Sequence, residues 1–276
     1  MSSQENGSKV NPIKSKFSLA ASVLGPLSVP ERILLCFCKH PSFVPGYDGY
    51  AEPSDQQSTP DPLQRLRSCF PDLSHLVTGA DVLDFGCGDG GQAIALAQNG
   101  AHAVVGVDIQ EQRLDRARQR AANFANLSFA THLAGMFDTV ICQDAFEHIA
   151  APEDTLASLL KHVKPGGRIL LTFGPLWYAP YGAHCHFFTR FPWVHLIFSE
   201  ATVHRVMRLY RRNPGSSYLE EMNMMTVARF KKIVRETKGC SFHPITFRCV
   251  KGLNILASIP IVRELLVNEV SCVISN

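Results

Sequence analysis

The stretch VLDFGCGDGG, residues 82–91, decides how this chain is read. An apolar run ends in a turn so rich in glycine that the backbone there is built for positive φ or for close approach to a ligand. Two registers fit. Gly86-x-Gly88-x-x-Gly91 has the spacing of a dinucleotide turn, in which bare amides at a helix start receive a pyrophosphate. Asp84-x-Gly86-x-Gly88-x-Gly90 puts a carboxylate at the strand end instead. A pyrophosphate needs no carboxylate beside it, whereas a cationic ligand group does, such as the amino group of S-adenosylmethionine.

Outward from this turn the chain alternates. ADVLDFG (80–86) predicts a buried strand and GQAIALAQNG (91–100) a short helix stopped by Gly100. HAVVGVDI (102–109) is a second strand, and EQRLDRARQRAANF (111–124) a helix with a charged outer face. LSFAT (127–131) and FDTVICQD (137–144) are a third and a fourth strand. PEDTLASLLKHV (152–163) is a helix with Leu156, Leu159, Leu160 and Val163 on one stripe, and KPGGRILLTF (164–173) is a turn feeding a fifth strand. Alternation of this kind predicts an α/β doubly wound sheet, mostly parallel, with ligands beyond the carboxyl ends of the strands. After Phe173 the pattern breaks. Residues 174–220 hold both tryptophans and form an aromatic-rich insertion over the sheet. MTVARFKKIVRET (225–237) predicts a helix capped by Thr226, and HPITFRCV (243–250) and EVSCVISN (269–276) predict two last strands.

The remaining composition is that of an ordinary globular protein, with 46% apolar and 18% charged residues. A net charge of +3 is too small to argue for nucleic acid or an anionic membrane. Nine scattered cysteines read as reduced thiols of a cytoplasmic protein, not a disulfide framework. Residues 1–16 read as a disordered tail, and 17–62 as an N-terminal arm and loop that folds over the mouth of the site or pairs with a second subunit. Residues 63–276 read as one domain with its insertion at 174–220. Pro26, Pro30, Glu31 and Arg32 interrupt the apolar run of the arm, so no transmembrane segment is expected.

VLDFGCGDG (82–90), VVGVDIQ (104–110), FDTVICQDAFEHI (137–149) and LKHVKPGGRILLTF (160–173) occur in this order. In that combination the chain resembles a class I S-adenosylmethionine-dependent methyltransferase of the broad type 11 group. The resemblance implies a Rossmann-like seven-stranded sheet whose last strand, EVSCVISN, is antiparallel. It implies S-adenosylmethionine as cofactor, with Asp84, Gly86, Cys87, Gly88 and Gly90 around its methionine part. Asp108 and Ile109 would lie at the ribose, and Gln143 near the sulfonium. Many relatives place an acidic residue after strand three, where this chain offers only Thr131 or His132.

Moving a methyl group to a hydroxyl requires that the acceptor lose a proton. DAFEHI supplies Asp144, Glu147 and His148 at offsets that share a helical face. YGAHCHFF supplies His184 and His186, which share one face of an extended segment. His184, His186, His148 and Glu147 are therefore the catalytic candidates. The block is also similar to that of methyltransferases that hold a divalent ion with Glu-x-x-Glu-His and later histidines, although Asp144 stands here for the first glutamate. Asp144, Glu147, His148 and His184 form the metal alternative; the reading adopted takes no metal. Trp177, Tyr178, Tyr181, Phe187, Phe188, Phe191 and Trp193 either line a small apolar acceptor pocket or form the core of a lid. RLYRR (208–212) reads as a solvated helix face. The expected partner is a small-molecule methyl acceptor, most simply at oxygen. An RNA or protein acceptor, a non-catalytic cofactor-binding protein and an NAD-dependent reductase are the alternatives, and the sequence leaves the oligomeric state open.

Overall fold

The computed structural model describes residues 12–41, 61–210 and 222–275. Seven strands form one sheet: β1 (Asp81–Phe85), β2 (Ala103–Val107), β3 (Leu127–Ala130), β4 (Phe137–Gln143), β5 (Val163–Phe173), β6 (Ser241–Cys249) and β7 (Val267–Ser275). The order across the sheet is β3-β2-β1-β4-β5-β7-β6. β1 to β5 pair in parallel, and β7 is antiparallel to both β5 and β6, as expected for the last strand. The chain reverses between β1 and β4, and that reversal opens a crevice above the carboxyl ends of the central strands.

Both faces of the sheet are covered, so the central strands are apolar on both sides. On β4 and β5, Val140, Cys142, Ile169 and Leu171 enter one core with Leu156, Leu159, Phe230 and Ile233 of helices Pro152–Lys161 and Val227–Glu236. The alternating Ile141 and Leu170 enter the other, with Leu66, Leu73 and Leu96 from helices on the opposite face. Thr226 caps its helix as expected, its hydroxyl accepting from the Arg229 amide at 3.0 Å. β5 begins earlier than the sequence suggests. It pairs Val163 with Phe137, loops out around Gly166, which sits at a φ of 78°, and resumes the ladder at Arg168 opposite Thr139.

A third core joins the N-terminal arm to the insertion. Helices Pro12–Leu24 and Val29–Phe37 of the arm pack against the insertion through Ala20, Leu34, Leu35, Phe188, Val203, Val206 and Met207. The Lys39 amide donates to the Phe188 carbonyl at 2.8 Å, and Arg205 pairs with the buried Glu31 at 3.2 Å. The arm is thus fixed to the insertion. The chain is helical from Pro12, inside the stretch whose composition reads as disordered; residues 1–11, most of the 51–62 loop, and Arg211 and Arg212 of RLYRR lie outside the described residues. No described helix is long and apolar enough to cross a membrane.

Candidate functional site

The glycine turn follows β1. Gly86, Gly88 and Gly90 all have positive φ, at 79°, 55° and 77°. At Gly86 a Cβ would sit 2.6 Å from the Ala145 Cβ, so the turn after β1 and the loop after β4 touch only because a side chain is missing. Gly90, which opens helix Gly91–Gln98, is crowded in the same way by Ala117 and Phe129.

Asp84 is 1% exposed. One oxygen accepts from Gln92 Nε2 at 2.7 Å, and Oδ2 is buried with no hydrogen-bond partner. Burial raises its pKa to about 7; the bond from Gln92 opposes that rise and the nearby Asp108 adds to it. Asp108 ties the crevice together. Its carboxylate accepts from the Gly88 amide and from the Gln110 amide, each at 2.9 Å. It therefore holds the glycine turn and the entrance to helix Glu111–Arg120 at once, although Gln110 is the capping residue.

The other expected cofactor residues differ in what they present. The Cys87 thiol is buried beneath the turn against Gly106, and burial pushes its pKa up, so this residue faces the crevice with backbone rather than side chain. Ile109 is 89% exposed. Gln143 ends β4 with a buried Oε1 that has no hydrogen-bond partner.

Beside this crevice, at the carboxyl ends of β4 and β5, lies a cavity of about 350 Å³. Its walls include Asp144, Glu147, His148, His184, His186, Arg65, Asn268 and Glu269. DAFEHI is not one helical face as expected. Asp144 has a left-handed φ of 53°, and Phe146–His148 is a single 3₁₀ turn, yet all three polar side chains reach the same cavity. His184 and His186 do not share an extended segment either. His184 has a φ of 54° and caps the 3₁₀ turn Cys185–Phe187, and both imidazoles still line the cavity.

Glu147 is 1% exposed; Oε1 accepts from the Gly174 amide at 3.0 Å, and Oε2 has no hydrogen-bond partner. Burial, with a contribution from Asp144, raises its pKa to about 8. The His148 and His184 rings stack with centroids 5.2 Å apart and planes 14° apart. One ligating atom from each of Glu147, His148 and His184 lies within 4.8 Å of the others. His186 stands further off, 6.4 Å from His184 between ring centroids, with its pKa lowered by burial and by Lys39. Asp144 instead forms an ion pair with Arg65, which also pairs with Glu269 at 2.6 Å; Glu269 is held in turn by Arg248 at 3.2 Å.

Arg65, Glu269, Gln92 and Asn223 were not singled out in the sequence. Asn223 donates to the carbonyls of Phe146 and Ile149 at 2.7 and 2.8 Å, and its own amide donates to the Glu147 carbonyl at 2.8 Å. It clamps the turn that carries Glu147 and His148. The only sequence signal for these residues was a polar or charged side chain in a short apolar-rich segment, which is too common to discriminate. The aromatics resolve toward the second reading. Phe188 is in the lid core, with Trp177, Phe187 and Phe191 packed against it, and the cavity wall is polar rather than apolar. Tyr181 stays near the site, edge-on to His186.

Fold and site together define a class I methyltransferase architecture. A family profile described as a methyltransferase domain matches residues 60–210, more than half of the chain, and the chain belongs to that family. It is 34% identical over 119 residues to a ubiquinone biosynthesis O-methyltransferase of Aromatoleum aromaticum, covering 40% of this chain and 50% of that protein. It is 33% identical over 170 residues to a ribosomal protein L11 methyltransferase of Dechloromonas aromatica, covering 56% and 53%. The chain therefore spans about half the length of these relatives. In fold it matches an S-adenosylmethionine-dependent methyltransferase of Mesorhizobium loti, with a TM-score of 0.50 and 17% identity over 77% of this chain and 96% of that one. A corresponding protein of Listeria monocytogenes gives a TM-score of 0.51 at 17% identity, over 78% and 98%.

Proposed function

We propose that this protein transfers a methyl group from S-adenosylmethionine to a hydroxyl of a small organic acceptor. The crevice suits that cofactor. The buried Asp84 Oδ2 lacks a donor and would receive an ammonium group, and Asp108 keeps lone pairs for a ribose diol. Gln143 Oε1, a buried oxygen without a donor, adds negative potential favourable to a sulfonium. Bound there, the cofactor supplies an already activated methyl group, so the protein's own task is alignment, exclusion of water and removal of the acceptor proton.

The observation that carries the reading is the convergence of Glu147, His148 and His184 in one small cavity next to the glycine turn. An imidazole of this group takes the acceptor's proton. Glu147, on the turn held by Asn223, stands beside both rings and fixes the wall against which they lie. Near neutral pH, with a pKa of about 8, Glu147 is itself mostly protonated and is a poor first base. Asp144, paired with Arg65, serves as wall and charge balance.

The relatives' printed names include O-methylation of small molecules and methylation of a protein. A cavity of about 350 Å³ with a polar wall suits a small molecule. A second reading rests on the same three residues, because one carboxylate oxygen and two imidazoles within 4.8 Å form a donor set suited to zinc, iron or manganese. A bound ion would acidify the acceptor hydroxyl in place of an imidazole base. Asp144, committed to Arg65, does not belong to that set.

The test is methyl transfer to a panel of phenols and catechols with labelled cofactor, together with calorimetric cofactor binding. His184→Ala is expected to lower kcat strongly and leave the cofactor Kd unchanged. Wild-type turnover in that variant refutes the role of the histidine, and absence of cofactor binding refutes the whole reading. Loss of turnover with a chelator, restored by one ion, selects the metal over the imidazole base.

A further inference from the structure

The connection between β6 and β7, residues 250–266, plays no part in the site described above. It runs through two short 3₁₀ turns into helix Pro260–Leu266. Of the fifteen large apolar side chains exposed among the described residues, five lie here: Leu253, Ile255, Ile259, Ile261 and Leu265. Ile255 is 84% exposed and Ile261 78%. Such a concentration marks a contact surface, since isolated exposed aliphatics are ordinary and clustered ones are not.

The charge around this segment is segregated. Residues 227–266 contain eight Lys and Arg against two Glu, a net charge of +6, whereas the whole chain carries +3. Three of these cations are already in ion pairs, Arg229 with Glu153 at 3.2 Å, Lys232 with Glu236 at 4.0 Å and Arg248 with Glu269 at 3.2 Å, so the surface charge next to the segment rests mainly on Lys231 and Lys251. One of the two acids, Glu264, is consumed locally, accepting from the Val227 and Ala228 amides at 3.0 and 2.7 Å as an N-terminal cap. Lys231 and Arg263 each lie 5.7 Å from the Phe247 ring centroid, so the cations reach the base of the apolar segment.

Topology places the segment beside the cavity. β6 runs in the same direction as β5, because both are antiparallel to β7. Residues after Cys249 thus leave the sheet at the edge where β4 and β5 deliver Asp144 and Gly174. The chain re-enters at Val267, paired with Cys249, and its next two residues, Asn268 and Glu269, line the cavity.

We propose that residues 250–266 are a docking element for an anionic phospholipid surface, with Ile255 and Ile261 entering the acyl boundary and the exposed Lys231 and Lys251 meeting the headgroups, while Arg263 donates to the Ala257 and Ser258 carbonyls and shapes the segment. Exposed isoleucines flanked by cations have the composition of an interfacial anchor. An RNA surface would call for aromatic platforms, which the exposed part of this segment lacks. Docking would hold the cavity mouth at the lipid–water interface. If the methyl-transfer reading is right, acceptors residing at that interface have the shortest path in.

The experiment is co-sedimentation of the full chain with vesicles of phosphatidylcholine alone and of equimolar phosphatidylcholine and phosphatidylglycerol. Each preparation is also checked for cofactor binding by calorimetry. Wild type is expected to sediment with the mixed vesicles and much less with pure phosphatidylcholine. Ile255→Ser with Ile261→Ser is expected to weaken partitioning by about tenfold or more. Lys231→Glu with Lys251→Glu is expected to abolish the preference for the anionic lipid. Both variants change exposed side chains, so circular dichroism and cofactor binding should match wild type. Failure of wild type to sediment, equal sedimentation with both vesicles, or unchanged partitioning of the isoleucine variant overturns the proposal. So does a wild-type dimer that the isoleucine variant converts to monomer without any effect of vesicles. Because sedimentation needs neither cofactor nor turnover, a failure of the methyl-transfer reading appears separately, in the calorimetry.

Discussion

Replacing Asp108 by alanine removes two hydrogen bonds at once, those from the Gly88 and Gln110 amides at 2.9 Å each. Bonds to a charged acceptor contribute about 1.5–3 kcal/mol apiece. Asp108 is 9% exposed at the rim of a crevice, so water recovers part of that loss. The net cost to the ligand-free protein is about 2–4 kcal/mol, which for a domain of this size lowers Tm by roughly 5–15 °C. The same substitution frees the glycine turn and, on the proposed cofactor site, removes the group expected to bind the ribose, so the cofactor Kd should rise roughly 5- to 150-fold, corresponding to about 1–3 kcal/mol. Asp108→Asn keeps one acceptor oxygen and should fall between. Differential scanning fluorimetry without ligand and titration calorimetry with S-adenosylhomocysteine separate the two effects. A Tm within about 1 °C of wild type would show that the two amide bonds are not holding the turn. An unchanged Kd would remove Asp108 from the ligand site.

Both buried carboxylates make the protein sensitive to pH in an unusual direction. Asp84 and Glu147 have pKa values raised to about 7 and about 8, so the folded state binds more protons than the unfolded chain. Their stabilisation is complete below the ordinary carboxylate range and is lost as pH rises through those values. The ligand-free Tm should therefore fall between pH 5 and 8.5, and Glu147→Gln, which still accepts from Gly174, should flatten that fall. A Tm that climbs over this range contradicts the burial assigned to the pair. Cofactor affinity should show the opposite slope: an ammonium group prefers ionised Asp84, so binding near pH 6 must release a proton. Calorimetry in buffers of different ionisation enthalpy reads that release, and none should appear in Asp84→Asn. Gly174→Ala should fold poorly, because its Cβ would lie 2.1 Å from the Asn268 carbonyl oxygen; soluble protein with wild-type Tm would show that this strand end is freer than it looks.

Much of the cofactor half was legible because its signals are local. The turn at Gly86, Gly88 and Gly90, the acids at strand ends and the alternation of strand and helix all follow from neighbours within about ten residues. The acceptor half was legible only as residue types. Asp144, Glu147, His148, His184 and His186 do meet, but not by the helical and extended periods that suggested it, since the segments that carry them are left-handed residues and 3₁₀ turns. The aromatics of the insertion looked equally suited to a pocket or a core, and only the packing of the arm onto Phe188 and Val203 decides for the core.

What the amino-acid order determined by itself is the parallel α/β sheet and the end of it at which the glycine turn and the strand-end acids stand, because hydrophobic period and glycine placement act over a single turn or strand. The tertiary structure alone decided which charges stand together. Arg65 reaches Asp144 and Glu269, and Asn223 clamps the turn of Glu147. Those contacts join parts of the chain tens to hundreds of residues apart. Burial and ion pairing at such separations depend on how the layers close over one another, and no short window of sequence encodes that.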